Sequence, residues 1–443
     1  MIARRVRVAQ FTPFALSLRI VMGVFTFAIC STAWVPWSFE IAGLNLRASQ
    51  ILLPFVVAIG MATPPVLTVS VWSLVSFVGG LLWFVALAAW TVLEQPPFGH
   101  PLARVALVGL NLAQALAAYS LIVRSGSLRS SLRSLLMSTA VLNVFLLLVT
   151  IAPSVGIPVS SAWLTTEVAP IYAGGQLTAA TVQRLGGGVF VGCLSAAVLL
   201  IDVAIWFDRT WTDRWLIVVS AVAAVIGMVI GFSRQAILSL AAGLVVVLPL
   251  LLGRGRLRQA ARLGPVAMVG GILAFVFVAA TPTGHQFLSA FLGRAAQIVD
   301  ARSYVTGTAG SRAEIWSGMW SDIARNPLVG NGQDAYLRYM AIGEGAHNLP
   351  LEALHATGLA GFAGYLALHL VAPLLALVIV VTYPMHDADR CSLVGVLGAY
   401  VAVVAASVTN IVYWTPAYWL FVALMVAGVR LADMRPPSRV PSS

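Results

Sequence analysis

Apolar runs of about twenty residues, parted by short polar breaks, recur along this chain, and that length lets a helix cross a hydrocarbon core. They predict twelve spans, near 13–35, 48–64, 67–94, 104–123, 135–153, 187–206, 215–232, 235–252, 263–281, 353–382, 391–412 and 416–432. Two longer segments interrupt the rhythm: 154–186, and a polar stretch from Pro282 to about Leu351. The chain therefore divides into three parts. Residues 1–281 hold nine spans and an external loop at 154–186, residues 282–351 form one large loop, and residues 352–443 hold three spans and a tail. The expected fold class is an all-α polytopic membrane protein with about twelve transmembrane helices and a large helical extracytoplasmic loop.

Composition agrees. Hydrophobic residues make up 60% of the chain and charged residues 9%, with a mean hydropathy of +0.94. Soluble domains carry roughly 25% charged residues, so lipid is the solvent such a surface needs. The net charge of +11 comes from Arg alone, since the sequence contains no Lys. Nucleic acid is a poor match for this excess, because the Arg residues cluster in short inter-helix connections. Arg4, Arg5 and Arg7 precede the first span, and Arg124, Arg129 and Arg133 follow the fourth. Arg254, Arg256, Arg258 and Arg262 follow the eighth, and Arg430, Arg435 and Arg439 follow the last. With twelve spans all four clusters share one side, which the positive-inside rule makes cytoplasmic. Both termini are then cytoplasmic and both long loops lie outside.

The large outer loop holds five Arg (Arg294, Arg302, Arg312, Arg325, Arg338) against five acids (Asp300, Glu314, Asp322, Asp334, Glu344). Balanced charges of this kind could simply solvate a small cap, but the local pattern has more detail. Ser311 with Glu314 reads as a capping box. Ile315, Trp316, Met319, Trp320 and Ile323 then follow at helical spacing, a stripe expected to lay the helix along the membrane surface. Asn326-Pro327 ends that helix, Gly330-Asn331-Gly332 turns the chain, and a second short helix is expected around 333–342.

Two residues carry candidate chemistry. Arg234 lies in Phe232-Ser233-Arg234-Gln235, at the outer tip between two spans. An Arg there either snorkels or holds an anion, and lipid-linked phosphate suits a guanidinium fork. The outer location runs against the positive-inside bias and favours the anion. His347 is the only His between residues 286 and 354. A lone His is more often a hydrogen-bonded structural residue, yet its ordinary pKa also suits it to take a proton from a hydroxyl. Cys30, Cys193 and Cys391 have no metal spacing and imply no disulfide framework. Paired acids suited to a divalent ion, a P-loop and an HExxH are all absent from the sequence, so no cofactor and no metal are expected. Gly186-Gly187-Gly188 reads as helix packing or a flexible lead-in to the sixth span, and Asp202 as a residue close to the interface, with a transport pathway as its alternative.

The order Ser233-Arg234-Gln235-Ala236, Ser311-Arg312-Ala313-Glu314-Ile315-Trp316, Asn326-Pro327-Leu328-Val329-Gly330-Asn331-Gly332, and His347-Asn348 followed by Gly358-Leu359-Ala360-Gly361 resembles the O-antigen ligase and polymerase family over roughly residues 180–375. The resemblance implies a metal-independent glycosyltransferase at the outer face of a bacterial inner membrane. Its donor would be an undecaprenyl-diphosphate-linked glycan. Its acceptor would be the lipid A core oligosaccharide in a ligase, or a second carrier-linked repeat in a polymerase. Ligase is the preferred expectation. Carried over by position, Arg234 and Arg312 would hold the diphosphate and His347 would activate or orient the acceptor hydroxyl. Arg184 resembles a further family position, although Gly187 and Gly188 replace the polar Pro-Asn element that usually follows. Arg338 is a secondary phosphate candidate, with surface solvation as its alternative. A lipid-linked sugar transporter is a rival of another class. It would call for internal repeats and charges at mid-membrane, and the sequence has no evident repeat and spans almost free of central charge.

Overall fold

The structure, a computed structural model, describes residues 13–34, 38–41, 44–62, 70–96, 100–159, 164–173, 176–185, 188–231, 233–252, 289, 292, 308–339, 347–409 and 415–434. Twelve helices occur among them. These are α1 (Pro13–Trp34), α2 (Ala48–Ala62), α3 (Val71–Glu94), α4 (Pro101–Ser125), α5 (Leu128–Ile151), α6 (Gly188–Trp206), α7 (Arg214–Ile230), α8 (Arg234–Leu252), α9 (Thr308–Arg325), α10 (Leu349–Thr382), α11 (Asp387–Thr409) and α12 (Pro416–Asp433). Eight of them are long and apolar enough to cross a membrane, and α1, α2 and α7 contribute shorter apolar helices. Each of the expected spans thus has its helix, except the ninth at 263–281, which lies outside the described residues. The chain is a multi-pass, all-α membrane protein.

Two antiparallel hairpins add to that class within the connections. Strands β1 (Ser38–Ile41) and β2 (Leu44–Arg47) pair between α1 and α2. Strands β3 (Leu164–Ala173) and β4 (Gln176–Leu185) pair over ten positions in the loop before α6.

Small residues set the closest helix contacts, as expected where backbones must approach within lipid. A Cβ placed on Gly79 of α3 would lie 2.6 Å from Ala367 Cβ and 2.8 Å from the Gly364 carbonyl of α10. Further along, Gly361 faces Ala86, so α3 and α10 run antiparallel. A polar aromatic knot closes the middle of this bundle. Tyr400 of α11 meets His369 Nδ1 at 2.8 Å and donates to the His369 carbonyl at 3.1 Å, while Trp83 stacks on Trp419. Asp202, in the last turns of α6, is fully buried and accepts a hydrogen bond from Ser220 of α7 at 2.9 Å. It ties α6 to α7.

Arg390, near the start of α11, fixes which helix ends share a side. Its guanidinium donates to the Val380 carbonyl near the end of α10 and, at 2.9 Å, to the Leu250 carbonyl near the end of α8. The ends of α8 and α10 therefore coincide, and both helices begin at the opposite face. Helix α8 thus ends on one side and α10 begins on the other.

Candidate active site

The first half of α10 and the loop segment 326–334 interlock. Gly358 interrupts α10 with φ 62° and ψ −176°, a conformation that only Gly adopts readily. A break in a spanning helix frees backbone groups that lipid cannot satisfy, so protein must satisfy them. Here the loop does so. Asn331 N–H donates to the His355 carbonyl and Gly332 N–H to the Ala356 carbonyl, each at 3.0 Å, and Leu359 N–H donates to the Pro327 carbonyl at 2.9 Å. The fit leaves no room for a side chain at two glycines. A Cβ on Gly330 would sit 2.2 Å from the Ala356 oxygen, and one on Gly358 would sit 2.4 Å from the Leu328 oxygen. This explains why the Asn-Pro-Leu-Val-Gly-Asn-Gly and Gly-Leu-Ala-Gly segments occur together: one is threaded through the gap made by the other.

Beyond the gap the loop is tied to α3 and α4. Gln333 N–H donates to Thr91 Oγ1 at 2.9 Å, and its side-chain amide bridges two buried carboxylates, Asp334 at 3.0 Å and Glu352 at 2.9 Å. Arg104 of α4 pairs with Asp334 at 2.5 Å. Burial raises the Asp334 carboxyl above its ordinary value, against the opposing pull of the Gln333 hydrogen bond and the Arg104 charge. Burial also raises the neighbouring Tyr336 phenol, and the charges of Glu352 and Asp334 add to that shift.

Helix α9 lies on this assembly. Ile315, Met319 and Ile323 bury one face against Tyr336 and against Leu351 and Leu354 of α10. The stripe expected to rest on the membrane surface therefore packs on protein, and Trp320, off that face, is 55% exposed. Since α9 begins at Thr308, Ser311 lies within the helix rather than at the N-cap position that the expected capping box places it in. The expected short helix at 333–342 is a 3-10 turn, Ala335–Tyr339.

At the edge of the buried face, Asp322 gathers three partners on one oxygen. Oδ2 accepts from Tyr339 Oη at 2.5 Å, meets His355 Nε2 at 3.0 Å, and lies 3.2 Å from Arg338 Nη2. Burial alone would raise this carboxyl. The hydrogen bonds from Tyr339 and His355, with the Arg338 charge, hold it below its ordinary value instead. Burial and the Asp322 carboxylate push the Tyr339 phenol up.

The residues singled out from the sequence fall as follows. His347 is half-buried and left-handed, with φ 51°, immediately before α10. Asn348 beside it caps that helix, its side-chain oxygen accepting from Leu351 N–H at 3.0 Å. Arg312 is half-buried on the first turns of α9, the helix that packs on α10. Arg338 is committed to protein acceptors, because besides Asp322 it donates to the Ala335 carbonyl at 3.1 Å and to Asn331 Oδ1 at 3.0 Å. These contacts brace the loop, and the side chain stays exposed at its surface. Arg234 opens α8 at a tip that packs on α6: Gly231 approaches the Gly188 carbonyl, and Gly192 faces Ser233 and Ala236. That contact bears out helix packing at Gly188. Arg184 lies in β4 opposite Thr165 of β3. The structure thus joins α9, which carries Arg312, and α10, which His347 precedes, into one unit, while the Arg234 tip packs on α6.

Sequence reasoning missed His355, Arg104, Gln333 and Glu352. His355 sits inside an apolar run one residue past the window in which His347 stood alone. Arg104 opens an apolar span and belongs to no motif. Only the fold brings them to the loop.

Residues 219–366 match the family model described as O-antigen ligase, an interval of about a third of the chain that holds Arg234, Arg312, His347 and both glycine segments. No curated protein matches the chain.

Proposed function

From the O-antigen ligase/polymerase family assignment that this match supports, we propose that the chain joins a glycan from an undecaprenyl-diphosphate carrier to the lipid A core, at the outer face of the bacterial inner membrane. The observation that carries the reading is the interlock of loop and helix. The matched interval contains a well-packed unit in which α9 bears Arg312 and α10 begins just past His347.

In this reading Arg234 and Arg312 hold the diphosphate. Two guanidinium groups suit its oxygens and stabilise the charge that grows on the leaving group. The acceptor hydroxyl attacks the anomeric carbon from the face opposite the diphosphate. The new glycosidic bond forms as the bond to the diphosphate oxygen breaks, and the hydroxyl proton passes to the imidazole of His347. Undecaprenyl diphosphate departs, and the anomeric configuration inverts. Arg charge takes the place a divalent ion would otherwise fill.

The test is reconstituted transfer in EDTA, with the lipid-linked glycan as donor and either lipid A core or a second carrier-linked repeat as acceptor. Product on the core alone supports ligation, and product on the repeat alone makes the enzyme a polymerase. Arg234→Ala, Arg312→Ala and His347→Ala should each lose at least about a hundredfold in rate, the scale of removing one positioned donor or base. Wild-type rates in these variants would overturn the site, and strict dependence on added metal would overturn the metal-free chemistry.

A further inference from the structure

We propose that Asp322 is a positioning residue for this reaction: by taking His355, Tyr339 and Arg338 on one carboxylate, it fixes the helix that carries Arg312 against the helix that starts at His347. The inference rests on the transferase reading above. It adds two residues, Asp322 and His355, that no motif contains.

The apolar seam alone specifies this arrangement poorly. On the α9 side it consists of Ile315, Met319 and Ile323. Apolar contacts are non-directional, so such a seam tolerates sliding and tilt. The Asp322 carboxylate is directional and draws on two separate elements, Tyr339 and Arg338 from the 3-10 turn and His355 from α10. His355 is 1% exposed and its Nδ1 is buried without a hydrogen-bond partner, so the ring points one N–H, at Nε2, to Asp322. Arg325, at 4.0 Å on the exposed side, is the only other charge paired with this carboxylate among the described residues.

Leverage makes the tie matter for catalysis. Arg312 precedes Asp322 by ten residues, about 15 Å of helix at 1.5 Å per residue, and His347 precedes His355 by eight, about 12 Å. A tilt of about 5° at the tie moves Arg312 by roughly 1 Å, and a misplacement of that size can cost about a hundredfold in rate.

The experiment uses the full chain and compares Asp322→Ala, His355→Leu, His355→Gln and the double variant Asp322→Ala/His355→Leu. Donor and acceptor KM, kcat, and hydrogen–deuterium exchange of residues 308–325 are measured. Asp322→Ala should raise the donor KM and lower kcat, for a combined loss of about 10- to 100-fold, with the acceptor KM within twofold of wild type. The double variant should lose no more than either single one. His355→Gln keeps an N–H facing Asp322 and should recover most of the loss seen in His355→Leu. Exchange in α9 should rise wherever the tie is cut. A merely structural role would lower the folded fraction and leave both KM values unchanged in the protein that survives; that result overturns the proposal, as does equal damage from Gln and Leu at 355. If the wild-type chain transfers no glycan, the proposed reaction falls and the positioning role falls with it. Unchanged exchange of α9 in Asp322→Ala overturns the clamp by itself.

Discussion

Arg104, at the start of α4, and Asp334, 230 residues later in the loop before α10, are joined at 2.5 Å, with the Asp334 side chain wholly buried. Removing one member of a buried pair leaves an uncompensated charge, which costs about 3–5 kcal/mol when both are enclosed. Arg104 is 36% exposed, so water offsets part of that cost. Arg104→Ala should therefore destabilise by about 2–3 kcal/mol, measured by thermal unfolding in detergent. Adding Asp334→Asn should recover part of the loss, since it removes the stranded charge and Asn tolerates the left-handed backbone at this position (φ 66°). Strictly additive losses would contradict the pairing.

The two glycines at the helix break admit no side chain. Gly330→Ala forces a Cβ onto the Ala356 carbonyl, and Gly358→Ala adds a disfavoured backbone to a clash with Leu328. Each should exceed the roughly 0.5–3 kcal/mol of an ordinary substitution. Limited proteolysis should cut residues 326–334 in these variants and spare them in wild type. Intact protection in both would mean that the loop is not threaded through the break.

Asp322 gives the cap an acid limit. Its folded pKa lies below the ordinary carboxylate value of 3.8. The stabilisation is therefore complete above that value and is lost as the pH falls through the lowered folded value. A fluorescent label at Ala313→Cys should report release of α9 below about pH 4, and Asp322→Asn should abolish that step. The groups facing this carboxylate are Tyr339, His355, Arg338 and Arg325. A release that persists unchanged in Asp322→Asn would assign the acid limit to another group.

Asn348 holds the first turn of α10 beside His347. Asn348→Ala should cost about 1 kcal/mol, the usual worth of an N-cap, and Asn348→Ser should restore most of it. Thermal unfolding reads the first effect. If Ala and Ser behave alike, the side chain is not acting as a cap.

Spanning helices were legible because lipid imposes a length and an apolarity that any window of sequence exposes. The hairpins were legible in principle. Gly174-Gly175 separates two stretches that each hold two Thr and one Val, and a Gly-Gly pair between strand-forming stretches is a hairpin signal. Membrane context drew attention to length instead. Arg312 and His347 were readable as motif residues, but the partners that organise their surroundings were not. Asp322 meets His355 across 33 residues, and Arg104 meets Asp334 across 230. No local period encodes such pairs. The apolar stripe on α9 shows a further limit: periodicity reveals a face, not whether protein or lipid covers it.

The threaded break in α10 also bears on exchange between relatives. Because the turn at 330–332 fills the gap at 358, neither segment has its backbone satisfied without the other. A chimera that swaps only the loop before α10, or only the helix, would inherit mismatched halves of one joint. Specificity for a different acceptor should therefore transfer only when residues 308–361 move as a single cassette.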